Sequence, residues 1–416
     1  MKALIKALGP GLLFASMAIG TSHLVLSTKA GAQYGWVMVI PILLANLLKY
    51  PFFEFGVRYT TVTEKSLIQG YLNLGKSYLW IYALVTLIST FTILAALYVV
   101  TAGLTINLFK LASLDTGTIS LLLFALISLM LILGRYRLLE TTLKWIITIL
   151  FVTLLVTTIL VLHKGPVARA ADFVEPRIFN GAGILFLISL VGWMPTAVEA
   201  SGWVSLWGVE NLKSKNQRPG LKLALQEFNL GYFVTALLSV FFMVVGWKTL
   251  YGTGTEISGQ AATFADQVVQ MFTVHIGSWA YVFIAVAAFA TMLSTCITAH
   301  DAISRVSVDV LQKLYPQKSL LRHRNAFAVM VVLLALINGA VIKLFSANMA
   351  DLVGLATFIS FVLAPLLGWM NLRTVMGNDM PPEHRPKTGL RLLTYCGMVF
   401  LTLFSLYYCW VLLFGN

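Results

Sequence analysis

The chain has 416 residues, 59% of them hydrophobic and only 11% charged. No single water-soluble core buries that much apolar surface, so lipid is its natural solvent and a soluble globular protein is excluded. The net charge of +13 does not point to nucleic acid, because the basic residues are spread over alternate connections instead of forming one patch.

Hydropathy separates about eleven apolar stretches, at roughly 10–29, 37–55, 78–108, 119–134, 141–163, 181–205, 229–247, 277–300, 326–346, 351–372 and 391–414. Each is near the ~20 residues a helix needs to cross a bilayer. The first follows Lys2 and Lys6 and could pass for a signal peptide. It lacks a small-residue cleavage site followed by a soluble domain and is read as the first span. A closed barrel would show weaker alternating segments of about ten residues. The expectation is an all-α polytopic membrane protein of about eleven transmembrane helices, a single transmembrane domain over 1–416.

Of the 29 Lys and Arg, only Lys29, Lys110, Lys164, Arg169, Arg177, Lys248 and Lys343 fall on the side opposite the N-terminus. The positive-inside rule then predicts a cytoplasmic N-terminus, and an odd helix count sends the C-terminus outside. A bacterial inner (plasma) membrane is the expected location. Cys296, Cys396 and Cys409 all fall inside predicted spans without paired spacing and read as packing residues.

The stretch Gly9-Pro-Gly-Leu-Leu-Phe-Ala-Ser-Met-Ala-Ile-Gly20 lies over Gly181-Ala-Gly-Ile-Leu-Phe-Leu-Ile-Ser-Leu-Val-Gly192 without a gap, with identities at Gly9/Gly181, Gly11/Gly183, Leu13/Leu185, Phe14/Phe186 and Gly20/Gly192. Five spans separate the two copies, so the second enters the membrane from the other side. That is the inverted 5+5 repeat of the leucine-transporter-type fold, in which helices one and six are discontinuous and hold substrate. The repeats are placed at 9–163 and 181–372, with an extra C-terminal helix at 391–414. Both breaks are visible: Gly20-Thr21-Ser22-His23 in the first span and Gly192-Trp193-Met194-Pro195-Thr196 in the sixth. Proline removes one helical hydrogen bond and clashes with the preceding turn, and freed backbone groups are tolerated in lipid only beside a ligand, water or another helix.

At these residues the chain resembles the Nramp family of proton-coupled divalent-metal transporters. Gly9-Pro10-Gly11 through Ala30-Gly31-Ala32-Gln33-Tyr34-Gly35-Trp36 is similar to that family's first helix, Val62-Thr63-Glu64-Lys65-Ser66-Leu67 to its pattern after the second, and Met194-Pro195 to its sixth. The resemblance implies an importer of a transition-metal ion, Mn2+ or Fe2+, working by alternating access with protons as the candidate coupling ion. The family's Asp-Pro-Gly-Asn is here Gly20-Thr21-Ser22-His23, and its Met-Pro-His is Met194-Pro195-Thr196, with the second histidine falling on Ser201. Two acidic residues of the family's third helix fall on Ala95 and Tyr98, and a polar Gln of the tenth on Thr357.

With the central acids gone, the retained candidate metal ligands are His23 and Met194, which suit softer ions better than Ca2+ or Mg2+. The expected substrate site comprises Gly20, Thr21, Ser22, His23, Gly192, Met194, Pro195, Thr196 and Thr357. Proton-coupling candidates are His23, a titratable side chain inside a span, and Glu199, the only acid in either broken helix. His23 could equally bond a neighbouring helix, Glu199 could sit in an aqueous vestibule, and the hydroxyls could bond back to helix carbonyls. Glu140 and Lys144 read as a helix pair, and Asp301, Arg305 and Asp309 as a solvated or gating face. No Walker motif, nucleophile elbow or paired Cys site is present, so neither an enzyme nor a cofactor is expected. The partners are the transported ion or small solute and membrane lipid. A second hypothesis keeps the scaffold but moves a small anion or polar organic solute, since half-helix amides favour negative groups. A third is a membrane receptor or scaffold without transport.

Overall fold

The computed structural model describes residues 10–414 except 112, 135, 166, 215–218, 324, 346 and 347. Gly9, Lys2 and Lys6 lie outside the described residues, as do the side chains of Glu140, Lys144 and Cys409. Among the described residues the secondary structure is helical.

The first span is divided into α1 (Pro10–Ala18), a π-helical turn (Ser22–Ser27) and α2 (Thr28–Tyr34). Then come α3 (Val39–Thr63), α4 (Leu67–Leu74), α5 (Lys76–Thr90), α6 (Ile93–Phe109), α7 (Thr116–Ile132) and α8 (Tyr136–Lys164). The sixth span is α9 (Gly181–Trp193) and α10 (Ala200–Ser214). The remainder includes α11 (Leu221–Leu250), α12 (Ala261–Ile276), α13 (Tyr281–Leu314), α14 (Ala326–Leu344), α15 (Met349–Val375) and α16 (Thr388–Phe414).

Seven of these segments are long and apolar enough to cross a membrane alone: α3, α5 with α6, α11, α13, α14, α15 and most of α16. The apolar segments Thr116–Ile132, Phe151–Lys164 and Gly181–Trp193 are shorter. With the divided first helix they match the eleven predicted stretches. Among the helices outside that prediction are α4, whose N-cap Ser66 accepts from the Gln69 amide, and α12, against which α6 packs. Large apolar side chains such as Leu126, Phe283 and Leu336 face outward, which suits lipid as the surrounding solvent.

The broken helices sit at the centre, held by α3, α11, α13 and α15. Small residues permit that closeness. A Cβ on Gly31 would lie 1.9 Å from the Met243 carbonyl oxygen, and one on Gly246 would lie 2.1 Å from that of Thr28, so α2 and α11 touch backbone to backbone.

Both breaks are displaced from their expected positions. The first helix ends at Ala18, so the opening is at Ile19 and Gly20, and Ser22 and His23 belong to the π-helical turn. In the sixth, Gly192 and Trp193 remain helical and the irregular segment runs from Met194 to Glu199, including a cis Met194–Pro195 bond.

Candidate functional site

The two breaks face each other across a cavity of about 30 Å³, lined by Met17, Ala18, Thr21, Ser22, Ile93, Leu97, Trp193, Thr196, Ala197, Trp203, Thr295 and Ala299. Such a cavity needs about 10–15 Å³ to hold a water, so there is room here for a water or a small ion. The polar part of the lining is hydroxyl: Thr21, Ser22, Thr196 and Thr295.

Ser22 ties the two breaks together. Its Oγ lies 2.9 Å from the Ala18 carbonyl oxygen, 3.2 Å from that of Pro195 and 2.7 Å from His23 Nδ1. His23 Nε2 lies 2.9 Å from the Thr235 carbonyl oxygen on α11. A carbonyl only accepts, so Nε2 carries the proton, and in a neutral ring Nδ1 is an acceptor that shares the single Ser22 hydroxyl proton with the Ala18 and Pro195 carbonyl oxygens. Both nitrogens are thus occupied, and the ring, fully buried, does not line the cavity. The structure thus places His23 between the Ser22 hydroxyl and the Thr235 carbonyl of α11, beside the first-helix break.

Of the other expected site residues, Thr21, Ser22 and Thr196 line the cavity, whereas Gly20, Gly192, Met194, Pro195 and Thr357 do not. Met194 is fully buried. Thr357 donates back to Val353 and Gly354 carbonyls, and its own carbonyl presses on Gly192, where a Cβ would meet it at 2.3 Å. Pro195 contributes its carbonyl to Ser22. Among the described residues no group of three or more His, Cys, Asp or Glu is arranged to hold a metal ion.

Gly20 has a steric explanation. A Cβ there would come within 2.8 Å of Thr295 Oγ1 and Cγ2 on α13, so Thr295 fills the space a side chain at position 20 would need. Thr295 Oγ1 in turn lies near the Ser16 and Ile19 carbonyl oxygens at 3.1 and 3.3 Å, satisfying groups freed by the break. Accordingly, Gly20→Asp alone is expected to give a destabilised protein with lower thermal unfolding temperature than the parent. Gly20→Asp with Thr295→Gly should recover much of the loss, a coupling that a double-mutant cycle reads directly.

Glu199 is buried, not in an open vestibule. Its Oε1 accepts from Ser89 Oγ on α5 at 2.7 Å and from Ser360 Oγ on α15 at 3.2 Å, while Oε2 is buried without a hydrogen-bond partner. Trp193 Nε1 donates to the same Ser360 hydroxyl at 3.0 Å, linking the cavity wall to the carboxylate.

Sequence reasoning missed Lys49. The charge count assigns it to the N-terminal-side connections, yet it lies within α3 and is completely buried. Its Nζ donates to the carbonyl oxygens of Val191 at 2.9 Å, Gly192 at 2.9 Å and Thr196 at 3.1 Å. Its position inside the apolar stretch 37–55 was the available signal. A second missed element is His300: its Nδ1 lies 2.8 Å from the Tyr98 hydroxyl, and its Nε2 is 3.0 Å from the Val331 carbonyl oxygen. A neutral relay of buried rings therefore stands at one of the two positions where the resembled pattern is acidic. Asp301, expected on a solvated face, is also buried. It is paired to Arg305 at 2.8 Å and accepts from Trp207 Nε1 at 3.3 Å, clamping α10 to α13.

Comparison with known proteins agrees with this architecture. An uncharacterized protein of Pasteurella multocida (strain Pm70) is 34% identical over 402 residues, covering 96% of this chain and 91% of that one. Crystal structures of mutants of the Eremococcus coleocola manganese transporter superpose with a TM-score of 0.73 at 13% identity, covering 100% of this chain and 89% of theirs. MhsT in complex with L-phenylalanine gives 0.65 at 14% identity, over 96% and 97% of the two chains. At such identities these structures establish the shared fold alone. Residues 11–411 match the Nramp (natural resistance-associated macrophage protein-like) family, and on that match the chain is an integral membrane protein belonging to the Nramp family of metal-ion transporters, and not an enzyme.

Proposed function

We propose that this transporter imports a divalent transition-metal ion across a bacterial inner membrane by alternating access, with the N-terminus cytoplasmic and the C-terminus outside. The repeats 9–163 and 181–372 move against each other, and 391–414 packs outside them. The observation that carries this reading is the small hydroxyl-lined cavity where the two broken helices meet, with Thr21, Ser22, Thr196 and Thr295 as its oxygen donors. Hydroxyl and water oxygens suit a hard ion such as Mn2+ better than they suit softer ions such as Cu+ or Zn2+. Glu199, with one unpartnered buried oxygen, is the candidate proton carrier in a chain without acids at Ala95 and Tyr98.

The test is uptake by purified protein in liposomes loaded with a metal-sensitive dye. Saturable Mn2+ entry is expected, slowed by excess Mg2+, because neutral oxygens discriminate less against hard ions than the imidazole and thioether of the sequence expectation would. A second reading, transport of a small anion, draws on the buried positive charge of Lys49 at the sixth-helix break. Absence of saturable metal entry from correctly inserted protein, together with saturable uptake in a screen of small anions, would favour it.

A further inference from the structure

The sixth-helix break contains a feature that neither the cavity nor the metal reading uses. Three main-chain oxygens, of Val191, Gly192 and Thr196, converge on Lys49 Nζ at 2.9–3.1 Å, and Lys49 is fully buried. These three contacts are all acceptors. A neutral amine has only two N–H groups and would aim its lone pair at the third oxygen, so the group that fits is the ammonium, with one proton per carbonyl. Converging carbonyls of an unwound membrane helix are also what coordinates a small inorganic cation in folds of this kind. Glu199 places one carboxylate in the same irregular segment, without a direct ion pair to Lys49 among the described contacts.

We propose that the sixth-helix break holds a monovalent-cation site distinct from the cavity, and that this chain fills it with its own Lys49 ammonium. The side chain of α3 acts as a tethered cation. It satisfies the Gly192 and Thr196 carbonyls and shares that of Val191, which also accepts from the Met194 amide at 3.4 Å, and so removes any need for an alkali cation in holding α9 against α10. The site's chemistry is that of an ammonium: three neutral oxygens spaced for N–H donors. Ammonium and short alkylammonium ions should therefore fit better than Na+, which draws its oxygens closer. The proposal does not depend on which ion or solute the transporter carries.

The experiment is chemical rescue. Full-length Lys49→Ala protein is purified and its thermal unfolding midpoint measured in choline chloride, then at equal ionic strength in ammonium, n-propylammonium, potassium and sodium chloride. Native protein should show the same midpoint in all five salts. The variant should be depressed in choline and rise saturably by roughly 3 °C or more with ammonium or n-propylammonium. If Lys49→Ala does not accumulate as folded protein, Lys49→Gln serves. It keeps two donors but leaves one carbonyl and the positive charge unfilled, so the same amines should raise its midpoint. A variant that responds to no cation more than the native protein does would overturn the proposal and leave Lys49 as a hydrogen-bonding residue only. So would a native protein with the same amine response, since its site would then be elsewhere.

Discussion

Glu199→Gln is expected to cut Mn2+ entry into liposomes by at least about tenfold while leaving the protein folded. The amide keeps the size of the carboxylate and an oxygen for Ser89 and Ser360, which presently donate to Oε1 at 2.7 and 3.2 Å. What it removes is the one buried negative charge at the sixth-helix break. Hydrogen bonds to a charged group are worth about 1.5–3 kcal/mol and neutral ones about 0.5–1.5 kcal/mol, so the lost difference is on the order of 1–1.5 kcal/mol per bond. If Glu199 also cycles a proton, an imposed pH gradient that accelerates native uptake should leave the variant's residual uptake unchanged. Equal entry by both proteins under every gradient would return Glu199 to a structural role.

The second large effect is at His23. His23→Ala strands the buried Thr235 carbonyl, leaves a cavity, and releases Ser22 from one of its partners. A loss of about 2–4 kcal/mol in stability is expected, together with loss of uptake, read by thermal unfolding and dye influx. His23→Gln separates positioning from ligation. Its amide can donate to Thr235 and accept from Ser22, so uptake should return to within several-fold of native. A ligand role for the imidazole predicts instead that both variants fail alike.

Much of the architecture was legible because its causes are local. Apolar runs of bilayer length have to be helices, since lipid offers no partner for an open backbone. Gly20 and Pro195 mark interruptions that any continuous helix would resist. The repeated Gly-x-Gly-x-Leu-Phe pattern showed that the interruptions correspond. The direction of individual side chains was not legible. His23 was expected to face the substrate because it follows the break, but the turn from Ser22 to Ser27 is π-helical. The extra residue in such a turn shifts later side chains to other faces of the helix. Here it sends the imidazole to α11. Lys49 was misplaced for a different reason. A charge near the end of an apolar stretch reads as a loop residue, and only the tertiary meeting of α3 with the sixth-helix break reveals three carbonyls able to hold an ammonium. Thr295, two spans away in sequence from the sixth-helix motif, had no signal at all until its contact with Gly20 explained why that position carries no side chain.

The central claim, that the substrate ion sits among the hydroxyls between the two broken helices, is tested most directly by removing those hydroxyls without changing the cavity's shape. Thr21→Val and Thr196→Val are nearly volume-conserving, and both residues line the cavity. The measurement is the concentration dependence of Mn2+ entry into dye-loaded liposomes for the double variant beside native protein, with thermal unfolding to confirm that both are folded. Losing two oxygen donors at about 0.5–1.5 kcal/mol each predicts a KM raised by roughly tenfold or more. An unchanged KM and maximal rate in the folded double variant would contradict the account and move the ion away from this cavity.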